Sequence, residues 1–159
     1  MTLRQRIDKL LEKFVAAVLA ILVVDVLWQV ISRYILSSPS SFTDELAGFL
    51  LIWVGLFGAA YVAGKNEHLA IDLLLQRSGP ARRKFLEIFI SICIILFAFS
   101  VLVVGGTWLV YTRFALEVKS AALQIPLGYV YIVLPISGVL IVYFTIDNLS
   151  QFLKSHKEN

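Results

Sequence analysis

Most of the residues that build reactive chemistry are scarce in this chain. Its 159 residues include one cysteine, one methionine, two histidines and four prolines, and only 16% are charged. Cys93 lies in a hydrophobic run, so there is neither a disulfide framework nor a paired-cysteine metal site to read. His68 and His156 both fall outside the long apolar stretches, which excludes a membrane haem held by two histidines. There is no phosphate-cradling glycine loop and no nucleophile with a matching base, so catalysis is not expected. The formal net charge of +3 is modest, and the basic residues flank apolar segments, where they set topology rather than hold nucleic acid.

What the chain has in abundance is apolar surface. Hydrophobic residues make up 59% of it, far too much for an ordinary globular domain of this length. A helix crossing the hydrocarbon layer needs roughly 20 mostly apolar residues, and four stretches qualify, at about 14–36, 46–64, 85–112 and 125–146. The expectation is an all-α integral membrane fold, a single membrane domain over 1–159 with four transmembrane helices. The third stretch exceeds one crossing and should tilt or project. The fourth is opened by Pro126 and carries Pro135 inside it as an expected kink.

The Lys and Arg residues sort to one side. Arg4, Arg6, Lys9, Lys13, Lys65, Arg77, Arg82, Arg83, Lys84, Lys154 and Lys157 collect there, against Arg33, Arg113 and Lys119 opposite. Both termini are therefore expected in the cytoplasm. The first span is long, contains Asp25 and Arg33 and shows no short core with a cleavage pattern, so it is expected to persist as an anchor. Two amphipathic segments, about 3–13 and 67–77, should lie at the interface against membrane lipids, the second with His68 and Asp72 on a narrow polar stripe. His68 and Asp72 read as a structural clasp, since two residues do not make a metal site.

Asp25, Gln29 and Arg33 recur every four residues and form one polar stripe on the first span. A carboxylate near the bilayer centre costs on the order of 3 kcal/mol on insertion scales, so a partner or a polar cavity is the default expectation. Two readings of Asp25 stand side by side: a structural polar contact to another helix or subunit, and a proton- or ion-coupling group. Gln29 bridges at helical spacing, and Arg33 beside Tyr34 reads as an interface residue. On the second span, Trp53 is mid-membrane and should fill a helix interface, while Gly55, Ala59 and Ala63 offer a small-residue face. Ser41 or Thr43 can cap this helix, and Asp44 and Glu45 in its first turn make a solvated helix start or an acidic patch facing outward.

Taken in order along the chain, these residues resemble the small membrane subunit, the DctQ-like component, of tripartite ATP-independent periplasmic (TRAP) transporters. The resemblance rests on Gln29, Arg33, Tyr34, Pro39, Phe42, Asp44 and Glu45, and on "LLIWVGLFGAA" with Trp53, Gly58, Ala59 and Ala60. It continues through "HLAIDLL" with His68 and Asp72, and ends in "LQIPLGYVYIVLPISG". Phe42 stands where a Trp is common in that family, and Asp25 is no part of its pattern. The resemblance implies a scaffold role beside a larger elevator-type subunit that carries the substrate and sodium sites, with no cofactor in this chain. It also implies a periplasmic binding protein that delivers an organic acid of the sialic acid or C4-dicarboxylate class and docks near Asp44 and Glu45. Gln29, Arg33, Trp53, Gly55, Gly58, Ala59, His68 and Asp72 then fall to subunit contacts or internal structure, and Asp25 takes the same reading from the cost of a membrane carboxylate, not from the family. The rival readings are a self-contained proton-coupled multidrug exporter using Asp25 and an anchoring subunit of a respiratory complex.

Overall fold

The computed structural model describes residues 3–36, 40–65 and 80–155, nearly all of them helical. In chain order these are α1 (Leu3–Tyr34), α2 (Ser41–Lys65), α3 (Pro80–Phe97), a π-helical segment (Ala98–Gly105), α4 (Gly106–Ala115), α5 (Leu127–Tyr131) and α6 (Val133–Ser155). Among the described residues, four stretches are long and apolar enough to cross a bilayer: Arg4–Tyr34, Ser41–Lys65, Lys84–Ala115 and Leu127–Lys154. The expected amphipathic segment at 67–77, with His68 and Asp72, lies outside the described residues.

α1 is one unbroken helix, so the basic amphipathic stretch at its start runs directly into the apolar span. Its buried positions are Leu11, Val18, Asp25 and Ser32, seven residues apart each time. Arg4, Asp8, Val15, Leu22 and Gln29 are half-buried between them. Only Ile7 breaks this alternation of three- and four-residue steps; every other described side chain of α1 is exposed. This is the narrow seam of a coiled-coil-like contact, in which a seven-residue repeat keeps one edge of the helix toward its neighbour.

The start of α2 is fixed by Ser40, not by Ser41 or Thr43 as the sequence suggested. The Ser40 hydroxyl accepts from the Thr43 amide at 3.4 Å, and buried Thr43 donates its own hydroxyl back to the Ser40 carbonyl at 3.0 Å. An N-cap side chain reaches the amide three residues on, which places the cap one residue before the helix.

The third stretch changes hydrogen-bonding period at Ala98–Gly105. Helices in which each N–H reaches five residues back are rare, and periodicity of apolar residues does not signal them. Ser100 and Thr107 donate their hydroxyls to the carbonyls of Leu96 (2.6 Å) and Val103 (2.5 Å), adding bonds at the two ends of the irregular segment. In the fourth stretch the helix breaks at Ile132, three residues before Pro135. Proline has no N–H and its ring crowds the carbonyl four residues back, here that of Tyr131, so the disruption falls on the turn before the proline.

The chain divides into two compact units, one of Met1–Gly58 with Trp108–Val133 and one of Ala59–Thr107 with Leu134–Asn159. In the first, Phe14, Trp53 and Phe57 form an aromatic cluster with centroid distances of 5.2–6.2 Å. The Trp53 indole N–H donates to the Val130 carbonyl at 2.9 Å, close to the break at Ile132. In the second unit, Ser137 and Phe144 of α6 are fully buried. The buried Asn148 amide donates to the Ala63 carbonyl at 2.8 Å, satisfying one of the carbonyls that the end of α2 leaves open.

Glycines separate two kinds of surface. A Cβ on Gly138 would sit 2.7 Å from the Leu102 Cβ and 3.1 Å from the Val103 backbone nitrogen, so the π segment and α6 touch there with no room to spare. A Cβ on Gly55 or Gly58 would meet nothing within 4 Å. Gly138→Ala is accordingly expected to destabilise the chain by about 1–3 kcal/mol through overpacking. Gly55→Ala should be neutral, or stabilising by up to about 1 kcal/mol from helix propensity. Thermal melts of the two purified variants in one detergent check this; equal melting would contradict it.

Candidate functional site

The polar residues singled out on the first two spans gather in the first unit, where α1 ends, α2 begins and the 116–126 turn lies. That turn is built locally. Glu117, at φ 48°, closes α4 in a Schellman arrangement, its amide bonded to the Phe114 carbonyl and the Val118 amide to the Arg113 carbonyl, each at 3.1 Å. Glycine is the usual residue there, because an L side chain is strained at positive φ. Lys119 and Pro126 then form an antiparallel bridge. The Ser120 amide bonds to the Ile125 carbonyl and the Leu127 amide to the Val118 carbonyl, both at 2.9 Å. Gln124, at φ 56°, completes the return and donates its side-chain amide to the Ala121 carbonyl at 2.8 Å.

The closed turn points three successive backbone amides inward, and Glu45 fills the space between them. Its Oε1 accepts from the Ala121 amide at 2.9 Å, and its Oε2 from those of Ala122 and Leu123 at 2.8 Å each. Successive N–H groups of this kind form a concavity suited to an anion, and here the anion belongs to the chain itself. Both carboxylate oxygens are engaged. Glu45 therefore acts as the clasp between α2 and the turn.

Asp44, one residue earlier, is exposed and accepts from the Gln29 amide through Oδ1. This ties the first turn of α2 to the last turns of α1, and Ser32 closes the same end by donating to the Gln29 carbonyl at 2.9 Å. Gln29, Arg33, Ser40, Ser41 and Asp44 line a cleft of about 230 Å³. Arg33 makes no hydrogen bond or ion pair with any described residue.

The three-residue stripe of the sequence does not hold together in the structure. Asp25 and Gln29 belong to the α1 seam, whereas Arg33 is exposed. Each four-residue step on an α-helix overshoots a full turn by about 40°, so two steps carry Arg33 off the contact line. Asp25 is 8% exposed, and its Oδ2 is buried with no hydrogen-bond partner among the described residues. Trp53 packs against Phe14 and Phe57 and adds a hydrogen bond that its position did not foretell. The small-residue face splits: Gly55 and Ala59 point outward, Gly58 is half-buried, and Ala63 is buried. Among the described residues there is no group of three or more His, Cys, Asp or Glu that could hold a metal.

The amides of Ala121, Ala122 and Leu123 carry the clasp and escaped sequence reasoning, because they lie 76–78 residues from Glu45 and backbone donors leave no mark in side-chain identity. The one signal available was local: Ser120, Gln124 and Pro126 punctuate a short turn between two apolar runs.

The chain is similar to known proteins over most of its length. Residues 22–155 match the family described as "Tripartite ATP-independent periplasmic transporters, DctQ component". The sialic acid TRAP transporter small permease protein SiaQ of Vibrio cholerae is 23% identical over 96% of this chain and 86% of its own length. The C4-dicarboxylate TRAP transporter small permease protein DctQ of Rhodobacter capsulatus is 27% identical over 63% of this chain and 44% of its own. The sialic acid TRAP transporter permease protein SiaT of Haemophilus influenzae is 36% identical over 43% of this chain, a match that covers 12% of that longer protein.

Proposed function

Because this chain belongs to the DctQ component family of the tripartite ATP-independent periplasmic transporters, we propose that it is the fixed scaffold beside a large elevator-type subunit in a sodium-coupled importer of an organic acid. A small permease of this family is a multi-pass protein of the inner membrane, and the four long apolar helices accord with that. The reading favours acids of the sialic acid or C4-dicarboxylate class, since the similar small permeases of Vibrio cholerae and Rhodobacter capsulatus carry those substrates in their names. Both termini face the cytoplasm in this reading, on the strength of the one-sided Lys and Arg distribution. The sodium and substrate sites lie on the large subunit.

The observation that carries the scaffold role is the unused packing capacity of α2. Gly58 leaves open space that no described residue fills, and Ala59 is exposed beside it. Small residues let a second helix approach closely in a bilayer, where packing rather than hydrophobicity drives association. The turn held by Glu45 and the helix end held by Asp44 offer a fixed polar surface on which a periplasmic binding protein can dock. Both acids serve docking by holding that surface in place.

The exporter reading of Asp25 gives way to family membership, and the buried seam position suits a structural contact. The test is uptake into vesicles holding this chain, its large partner and the cognate binding protein, run against a panel of carboxylates. Uptake is expected only with all three components. Undiminished uptake without this chain would remove the scaffold role, and transport by this chain alone would revive the exporter.

A further inference from the structure

The cleft lined by Gln29, Arg33, Ser40, Ser41 and Asp44 holds a cation and an anion that do not meet. No ion pair joins Arg33 and Asp44, although both line the same space of about 230 Å³. Gln29 occupies one carboxylate oxygen of Asp44, and Arg33 has all its donors open among the described residues. The volume falls below the roughly 300–1,000 Å³ of pockets that enclose drug-sized ligands, so it suits a small head group better than a whole organic solute.

The surroundings point to an amphiphile. Next to the cleft, Tyr34, Ile35, Leu36 and Phe42 are exposed apolar groups at the helix ends. Toward the interior of the span, the Asp44 face of α2 continues through Gly48, Leu51 and Gly55, all exposed. These positions follow at four, three and four residues, hence on one side of the helix. A Cβ on Gly48 or Gly55 would meet nothing within 4 Å, so the apolar track below the polar cleft has room along it.

We propose that this cleft binds a phospholipid with a primary-ammonium zwitterionic head group, of the phosphatidylethanolamine class. The Arg33 guanidinium takes the phosphate through its fork of N–H donors. The free oxygen of Asp44 takes the ammonium, Ser40 and Ser41 lie within the same lining, and an acyl chain follows the glycine-bearing track of α2. A choline head group has the charge but no N–H to give the carboxylate, and a glycerol head group has no cation at all. The inference needs only that the chain sits in a membrane and stands apart from the transport role.

The full chain, purified in detergent, is offered phosphatidylethanolamine, phosphatidylcholine or phosphatidylglycerol with matched acyl chains, and retained lipid is counted by native mass spectrometry. The native sequence is expected to hold the ethanolamine lipid about tenfold more tightly than the other two, roughly the yield of one charge-assisted contact. Asp44→Asn leaves an acceptor for Gln29 and should level ethanolamine and glycerol lipids. Arg33→Ala should weaken all three, with Arg33→Lys between. Equal retention of all three lipids by the native chain overturns the proposal. So does an Arg33→Ala variant, of native helix content, that retains all three lipids as strongly as the native chain, an Asp44→Asn variant that keeps the ethanolamine preference, or photocrosslinking from position 33 to a partner polypeptide and never to lipid.

Discussion

Trp53→Ala is expected to destabilise the chain by on the order of 3 kcal/mol, the lower end for large aromatics because the indole is only half-buried. The ring is the common neighbour of Phe14 and Phe57. Its N–H also satisfies the Val130 carbonyl at 2.9 Å. Trp53→Phe separates the two contributions: the aromatic contacts stay, and only the hydrogen bond, about 1 kcal/mol, is lost. Equilibrium unfolding in mixed micelles measures both. If the alanine variant unfolds with the native midpoint, the aromatic cluster is not what joins α1, α2 and α5 within the first unit.

Glu45→Lys should be the most damaging single change at the helix end. It removes an acceptor from three amides and puts a cation where three N–H dipoles converge. The turn should open, with amide exchange at Ala121, Ala122 and Leu123 rising at least about tenfold over the native chain while the exchange of α6 is unchanged. Glu45→Gln, which keeps one carbonyl acceptor, should fall between. In the reconstituted transporter the lysine variant should lower uptake at limiting binding protein far more than at saturation, the mark of weakened docking. A uniform fall at all binding-protein concentrations would assign Glu45 to assembly instead.

Much of the architecture was open to reading in the sequence, and the parts that were not share a physical cause. Span existence follows from apolar run length, which the bilayer imposes directly. Rotation about each helix does not: Asp25, Gln29 and Arg33 look equivalent at four-residue spacing, yet only the first two lie on the seam shared with Leu11 and Val18. Which face a helix buries depends on its neighbours, and a bilayer blurs the contrast because lipid-facing and protein-facing positions are both apolar. The π segment was invisible for a related reason, since an apolar run has no phase to lose. At the candidate site, Asp44 and Glu45 were recognisable as first-turn acids. Their division of labour depends on Gln29 and on a turn more than 70 residues downstream.

The distribution of burial has a consequence for the order in which the chain can be made. The fourth span has about a third of its most apolar window buried, against 11–17% for the other three. The acceptor for Trp53, the glycine that packs on Leu102 and the donor to Ala63 all lie within it. A ribosome delivers this segment after the other three. While the first three spans are in the membrane without it, α1 and α2 have each other at Phe14 and Gln29, but neither unit has its full set of contacts. Such a nascent chain is an unfinished pair of half-cores, its carbonyls and small-residue faces open to any helix nearby. Release from the insertion machinery before the fourth span emerges would therefore yield a product fit for quality control rather than for assembly.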